Sequence, residues 1–230
     1  MKTVGLIGGM SWESTIPYYR HLNKAAKQRL GGLHSAKVLL YSVDFAEIEV
    51  LQREGDWDGA GRLLVEAALK LEAAGADCVA ICTNTMHKVA PALESALKVP
   101  LLHIADAAGQ AVRTAGLDRV GLLGTSFTME QDFYKGRLAE RFGIEVLVPE
   151  PEDRELVHRV IYGELCLGEI RDASRLAFQR IVEALAARGA QGVVLGCTEI
   201  PLLLEPADSA LPLFDTTALH AGQLADWALA

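Results

Sequence analysis

Short apolar runs alternate along this chain with longer stretches whose apolar positions return every three or four residues. The short runs fall at 2–7, 37–43, 78–82, 100–104, 119–123, 144–148, 192–195 and 212–214, and most are rich in Val, Ile or Leu. They lack strict polar alternation, which is the pattern of parallel strands buried on both faces. Helical periodicity fills the gaps, as at 57–74, 105–115 and 172–187, and Gly75, Gly116 and Gly189 stand where helices would end. The alternation predicts an α/β fold with parallel sheets.

An internal echo refines that expectation. Val4-Gly5-Leu6-Ile7-Gly8 resembles Val120-Gly121-Leu122-Leu123-Gly124, and Gly75-Ala76-Asp77-Cys78-Val79-Ala80-Ile81 resembles Gly189-Ala190-Gln191-Gly192-Val193-Val194-Leu195. The two pairs recur in order at nearly one spacing, which predicts two pseudo-symmetric lobes, each with a mostly parallel sheet flanked by helices. The first lobe is expected to hold residues 1–100 plus about 208–230, and the second residues 101–207. At the offset of the second pair, Thr83 falls opposite Cys197, Asn84 opposite Thr198, and Thr85 opposite Glu199. Ligands of open parallel sheets bind beyond the carboxyl ends of the strands, so the two tripeptides are expected to address one cleft between the lobes.

Composition narrows the partners. Twenty-two Lys and Arg against thirty Asp and Glu give a net charge of −8, which argues against nucleic acid or an anionic membrane. No apolar run is long enough to span a bilayer, and the opening residues read as a strand rather than a signal peptide. The four cysteines, at 78, 82, 166 and 197, form neither a CxxC nor a zinc pattern with histidines. A cytoplasmic protein with reduced thiols and no metal is the expectation.

Three segments carry candidate chemistry. In Gly196-Cys197-Thr198-Glu199 a strand-end cysteine is followed by hydrogen-bonding residues, which suits a base or nucleophile as well as a buried structural thiol. Cys78 begins a buried strand, and Cys82 is one residue out of step with the cleft-facing position, so it should point the other way. Thr83-Asn84-Thr85-Met86-His87 offers neutral donors and acceptors for an amino-acid carboxylate and amine, or an ordinary helix cap. His87 reads equally as an acid–base helper or a structural histidine. Gly8-Gly9-Met10-Ser11 allows close backbone approach to a ligand or a tight turn, and Gly124-Thr125-Ser126 is its counterpart. No dinucleotide or P-loop glycine motif is present. Arg53, after Gln52, could pair with a carboxylate, although exposed surface is the commoner fate of a single Arg, and His103 and His220 suggest no metal geometry.

With these motifs in order, the chain resembles the aspartate/glutamate racemase family over essentially its whole length. The resemblance rests on Gly5-Leu6-Ile7-Gly8-Gly9-Met10-Ser11, Asn84-Thr85-Met86-His87, Gly121-Leu122-Leu123-Gly124-Thr125 and Gly196-Cys197-Thr198-Glu199-Ile200. The opening Gly8-Gly9-Met10-Ser11-Trp12-Glu13-Ser14-Thr15 is similar to the enterobacterial-type branch. The resemblance implies a racemase that works without pyridoxal phosphate or metal, commonly as a homodimer, on a small amino acid. In that family two cysteines flank the substrate Cα, one removing the proton and the other returning one to the opposite face. Family binding positions map to Met10, Gln52, Asn84, Thr85, Thr125, Thr198 and Glu199.

Two departures shape the expectation. The position of the first family cysteine is Thr83 here, so Cys197 is expected to be the base and Thr83 an opposite-face donor or relay. Aspartate racemases often carry a lysine where this chain has Cys166, and without that cation neutral polar amino acids join aspartate and glutamate as candidate substrates. A single cleft thiol also suits a decarboxylase or a cis–trans isomerase of the same superfamily. A non-catalytic amino-acid-binding protein is the remaining alternative.

Overall fold

The computed structural model describes residues 1–230, which divide into two compact units, Met1–Ile104 with His220–Ala230, and Ala105–Leu219. In the first unit the chain runs β1 (Val4–Gly8), α1 (Trp12–Leu30), β2 (Val38–Ser42), α2 (Phe45–Glu54), α3 (Trp57–Ala73), β3 (Cys78–Ile81) and α4 (Ala90–Ala96) before entering α5 (Ile104–Thr114). The strands form a parallel sheet of order β2-β1-β3. Every residue of β1 and β3 is buried, which is why these strands read as continuous apolar runs. Successive side chains serve opposite faces of the sheet. Ile7 and Ile81 join Ile48, Leu64, Leu71 and Leu93 on one side, while Leu6 and Ala80 join Tyr18, Leu22, Leu224 and Ala228 on the other.

The expected strand at 100–104 contracts to one parallel bridge between Leu101 and Val79. Pro100 has no N–H to pair, although its carbonyl accepts from the Val79 N–H at 3.0 Å, and Ile104 already starts α5.

The second unit contains β4 (Arg119–Gly124), α6 (Ser126–Glu130), α7 (Asp132–Phe142), β5 (Glu145–Leu147), α8 (Pro151–Gly163), α9 (Asp172–Ala187), β6 (Val193–Gly196) and β7 (Leu213–Asp215), and leads into α10 (Thr216–Leu229). Its sheet is also parallel, in the order β5-β4-β6-β7. The expected return to the first lobe at about residue 208 falls later. Residues 213–215 pair with the edge of β6, where Phe214 is buried, and the first unit resumes only at His220. With the Leu101 bridge counted, the two sheets share one strand order, and Gly75 and Gly189 enter β3 and β6 with φ of 96° and 95°. Those matched left-handed turns fit the repeat read in the sequence. No helix is long and apolar enough to cross a membrane.

Helix α10 is fastened to the first unit by His220. The His220 Nε2–H faces the Leu102 carbonyl at 2.8 Å, and the Tyr18 hydroxyl meets Nδ1 at 2.9 Å. A carbonyl only accepts, so the ring proton sits on Nε2 and, in the neutral ring, Tyr18 donates to Nδ1. Tyr18→Phe is expected to lower stability in urea titration by about 1–3 kcal/mol, the cost of losing a buried donor. Tyr19→Phe, at a residue 59% exposed, should leave the urea midpoint unchanged.

Candidate active site

In the first unit the candidate residues gather beyond the ends of β1 and β3. Cys82 is fully buried in the core with Val4, Leu6 and Tyr18, as its offset from Thr83 requires. Burial pushes the Cys82 thiol well above its ordinary range and Cys78 up to about 12, so both are neutral packing residues. Thr83 is half-buried, and Asn84 and Thr85 are buried where the chain turns into a 3-10 segment, Thr85–Val89. Gln52, buried near the end of α2, donates from Nε2 to the Met86 thioether at 3.0 Å, which brings it beside the Asn84-Thr85 turn. Met10 and Met86 belong to the same core cluster. Arg53 is turned to solvent and pairs with Glu49 at 3.1 Å, the surface role expected of it.

The vicinal glycines after β1 serve the fold. A Cβ on Gly8 would meet Thr15 at 2.4 Å, and one on Gly9 would meet the Val43 carbonyl at 2.3 Å. The Gly9 N–H donates to Thr15 Oγ1 at 2.9 Å. Of the two readings of this loop, the geometry favours the tight strand–helix turn over close approach to a ligand.

In the second unit, β4 and β6 bring two further loops to one sheet edge. Thr125 caps α6, its Oγ1 accepting from the Thr128 N–H at 3.3 Å. Next to it the Ser126 N–H donates to His158 Nδ1 at 3.2 Å. An imidazole nitrogen that accepts carries no proton, so His158 holds this turn as a neutral ring. Burial lowers the His158 pKa, with Glu130 opposing. Nothing in the sequence pattern singled out His158, because its partner is a backbone N–H on another element.

Beyond β6 the Cys197 thiol donates to Glu199 Oε2 at 3.0 Å, and the Thr198 hydroxyl donates to the same oxygen at 2.9 Å. Cys197 is 7% exposed and Glu199 2%. The turn that permits this closes with the Ile200 N–H on the Cys197 carbonyl at 3.2 Å. Burial first, then the charges of Glu199 and Cys166, hold the Cys197 thiol well above its ordinary range. Cys166, half-buried on the 3-10 segment Leu165–Leu167, is likewise raised, by burial and by Glu199. The structure therefore adds Cys166 to the electrostatic surroundings of Cys197, and makes Glu199 the direct partner of its proton. The spacing of Cys197 and Glu199 was the available signal for that contact.

All four cysteines are free, and no three His, Cys, Asp or Glu side chains gather into a group that could hold a metal ion. The groove of about 730 Å³ along α3 and α4, lined by Trp57, Val65, Leu69 and Lys88, contains none of the candidate residues.

Comparisons with known proteins agree on one family. The family model described as Asp/Glu/Hydantoin racemase matches residues 7–224. A broad-specificity amino-acid racemase of Bacillus subtilis is 24% identical over 224 residues, spanning 95% of this chain and 94% of the relative. The crystal structure of a candidate Asp/Glu racemase from Yersinia pestis is 58% identical over the whole of both chains, with a TM-score of 0.93. That of an aspartate racemase homologue from Pyrococcus horikoshii is 34% identical, also over both full lengths, with a TM-score of 0.85.

The thiol–carboxylate contact is open to test. Glu199→Gln removes the charge that opposes ionisation of Cys197, so the pH profile of Cys197 alkylation should move to lower pH. Each unit of that shift raises the thiolate fraction about tenfold below the transition. Iodoacetamide labelling of Cys197, followed by mass spectrometry from pH 7 to 10, measures it.

Proposed function

This chain belongs to the Asp/Glu/hydantoin racemase family, and we propose that it interconverts the enantiomers of aspartate, glutamate or a related polar amino acid without pyridoxal phosphate or metal. The observation that carries the reading is the buried thiol–carboxylate pair of Cys197 and Glu199 at the end of β6.

In this reading the Cys197 proton passes along the existing contact to Glu199 Oε2. The thiolate then takes the Cα proton of the bound amino acid, and the cationic ammonium group of the substrate offsets the cost of a thiolate in a buried site. Thr83 returns a proton from its hydroxyl to the opposite face of the carbanion and is reprotonated, through water, by the proton that Glu199 took from Cys197, so that all three groups end the turnover as they began it. A threonine hydroxyl is a far weaker acid than a thiol, so the carbanion must be poorly stabilised when it receives that proton. The reverse reaction runs the same path backwards, with Thr83, deprotonated, as the base. The mechanism requires Thr83 and Cys197 to address opposite faces of one Cα.

Met10, Gln52, Asn84, Thr85, Thr125, Thr198 and Glu199 are the proposed substrate contacts. The buried Asn84-Thr85 turn and the Thr198 backbone suit the α-carboxylate, and Glu199 suits the ammonium group. With Cys166 rather than a cation near Glu199, nothing on that segment favours a second carboxylate, so neutral polar amino acids remain within the substrate class. The resemblance also supports a homodimer in the cytoplasm, and sedimentation velocity tests the dimer.

Because enantiomers have equal free energy in water, kcat/KM must be equal in the two directions, and asymmetry between Thr83 and Cys197 can show only in kcat and KM separately. The threonine at position 83 also favours a second reading, a decarboxylase or cis–trans isomerase that needs one thiol.

Incubation in D2O with L- and D-aspartate, glutamate and neutral amino acids separates these readings. Loss of the Cα proton by NMR with inversion by chiral chromatography is the expected result. Cys197→Ala should lower the rate by about 10²–10⁴-fold, the usual contribution of a positioned acid or base. Thr83→Ala should still exchange the Cα proton of one enantiomer, but with retention. No exchange with any substrate would overturn the racemase reading, and loss of CO2 or double-bond isomerisation of a dicarboxylate would support the second.

A further inference from the structure

We propose that His87 is a positioning residue for the proton donor. It is a neutral imidazole, fixed in its Nδ1–H form, that holds the Thr83 carbonyl and thereby sets the directions of the Thr83 hydroxyl and the Asn84 amide. This inference rests on the racemase reading of Thr83.

The tautomer follows from the backbone. The Ile104 N–H donates to His87 Nε2 at 3.2 Å. A peptide N–H is a donor only, so Nε2 offers a lone pair and the ring proton lies on Nδ1. The 2.7 Å contact between Nδ1 and the Thr83 oxygen is then an N–H···O=C hydrogen bond. An imidazolium would set a second N–H against that of Ile104, at the start of α5, where the helix dipole also disfavours positive charge. The ring is 1% exposed, and the rings of His103 and His220 lie 4.3 and 6.0 Å away, centroid to centroid. With its nitrogens committed to backbone groups, His87 is unsuited to exchange protons with a substrate, which removes the acid–base role open to it from sequence.

The same bonds give it leverage. His87 sits on the 3-10 turn four residues after Thr83, and its own N–H bonds the Asn84 carbonyl at 3.0 Å. The imidazole therefore ties Thr83, in the loop after β3, to the first residue of α5. The Thr83 carbonyl and the Asn84 N–H share one peptide plane. Donation into that carbonyl fixes the plane and polarises it, which strengthens Asn84 N–H as a donor.

Two substitutions divide the ring. Asn places its amide nitrogen where Nδ1 lies and keeps the bond to Thr83. Gln places its amide where Nε2 lies, keeps an acceptor for Ile104, and gives up Thr83. Both should lower Tm. His87→Asn should keep kcat within about threefold of the parent, whereas His87→Gln should lose about a hundredfold with KM little changed, the scale expected of a misplaced reacting group. Equal loss of kcat in the two variants would overturn the proposal and leave a purely structural histidine.

Nitrogen-15 NMR of the parent imidazoles reads the tautomer without turnover. A protonated Nδ1 and bare Nε2 at His87 is expected, and an Nε2–H ring or an imidazolium overturns the proposal even if neither variant folds. If the parent exchanges no Cα proton, the racemase reading fails separately. The tautomer, with the Thr83 carbonyl carbon shift in the parent and in His87→Gln, then decides whether His87 holds that peptide.

Discussion

A parallel strand delivers its last residue to the same edge of the sheet as its neighbours, and the candidate chemistry of both units depends on that. Ile7 is in register with Ile81, and Gly124 with Gly196. The loop after β1, carrying Met10, therefore emerges beside the loop after β3, carrying Thr83 to Thr85. In the same way Thr125 emerges beside Cys197. Continuous burial of these strands then leaves only the residues past their ends free to meet a ligand. The candidate residues fall in short tripeptides because the rest of each strand is committed to the core.

The resting state of the second-unit cluster is a neutral thiol held by a carboxylate. A buried thiolate beside Glu199 would face both desolvation and like charge. With its proton kept on sulfur, Cys197 rests as an uncharged thiol. The neighbouring first-unit strand shows the opposite use of the same residue type. Cys82 stands one position from the site and is spent on packing, because successive side chains of an extended segment point to opposite faces.

Much of this was legible in the sequence because hydrophobic pattern and parallel pairing are the same fact seen twice. Seven of the eight expected strands form, and the internal echo survives as a shared strand order and as matched turns at Gly75 and Gly189. The strand at 100–104 shrinks to one bridge because an apolar run does not reveal that Ile104 is claimed by a helix. The boundary near 208 failed because edge pairing of Leu213–Asp215 with β6 depends on where a strand lands, which periodicity cannot report. Contacts between distant elements were also invisible: Met86 on Gln52, His158 on Ser126, and His87 on Ile104. Each joins a side chain to a group whose availability is set by tertiary structure.

Helix α10 has an implication for the order in which this protein takes shape. Ala221, Leu224, Ala225 and Ala228 complete the core face formed by Val4, Leu6, Tyr18 and Leu22. In the chain they come after the whole second unit. During synthesis from the amino end, β1, β2 and β3 leave the ribosome long before the helix that covers one side of their sheet. The second unit, contiguous in sequence, has all its strands in hand first. The first unit, whose strands precede the second unit, is thus the later of the two to finish burying its apolar surface, and it must wait, partly uncovered, for the helix that follows the second unit.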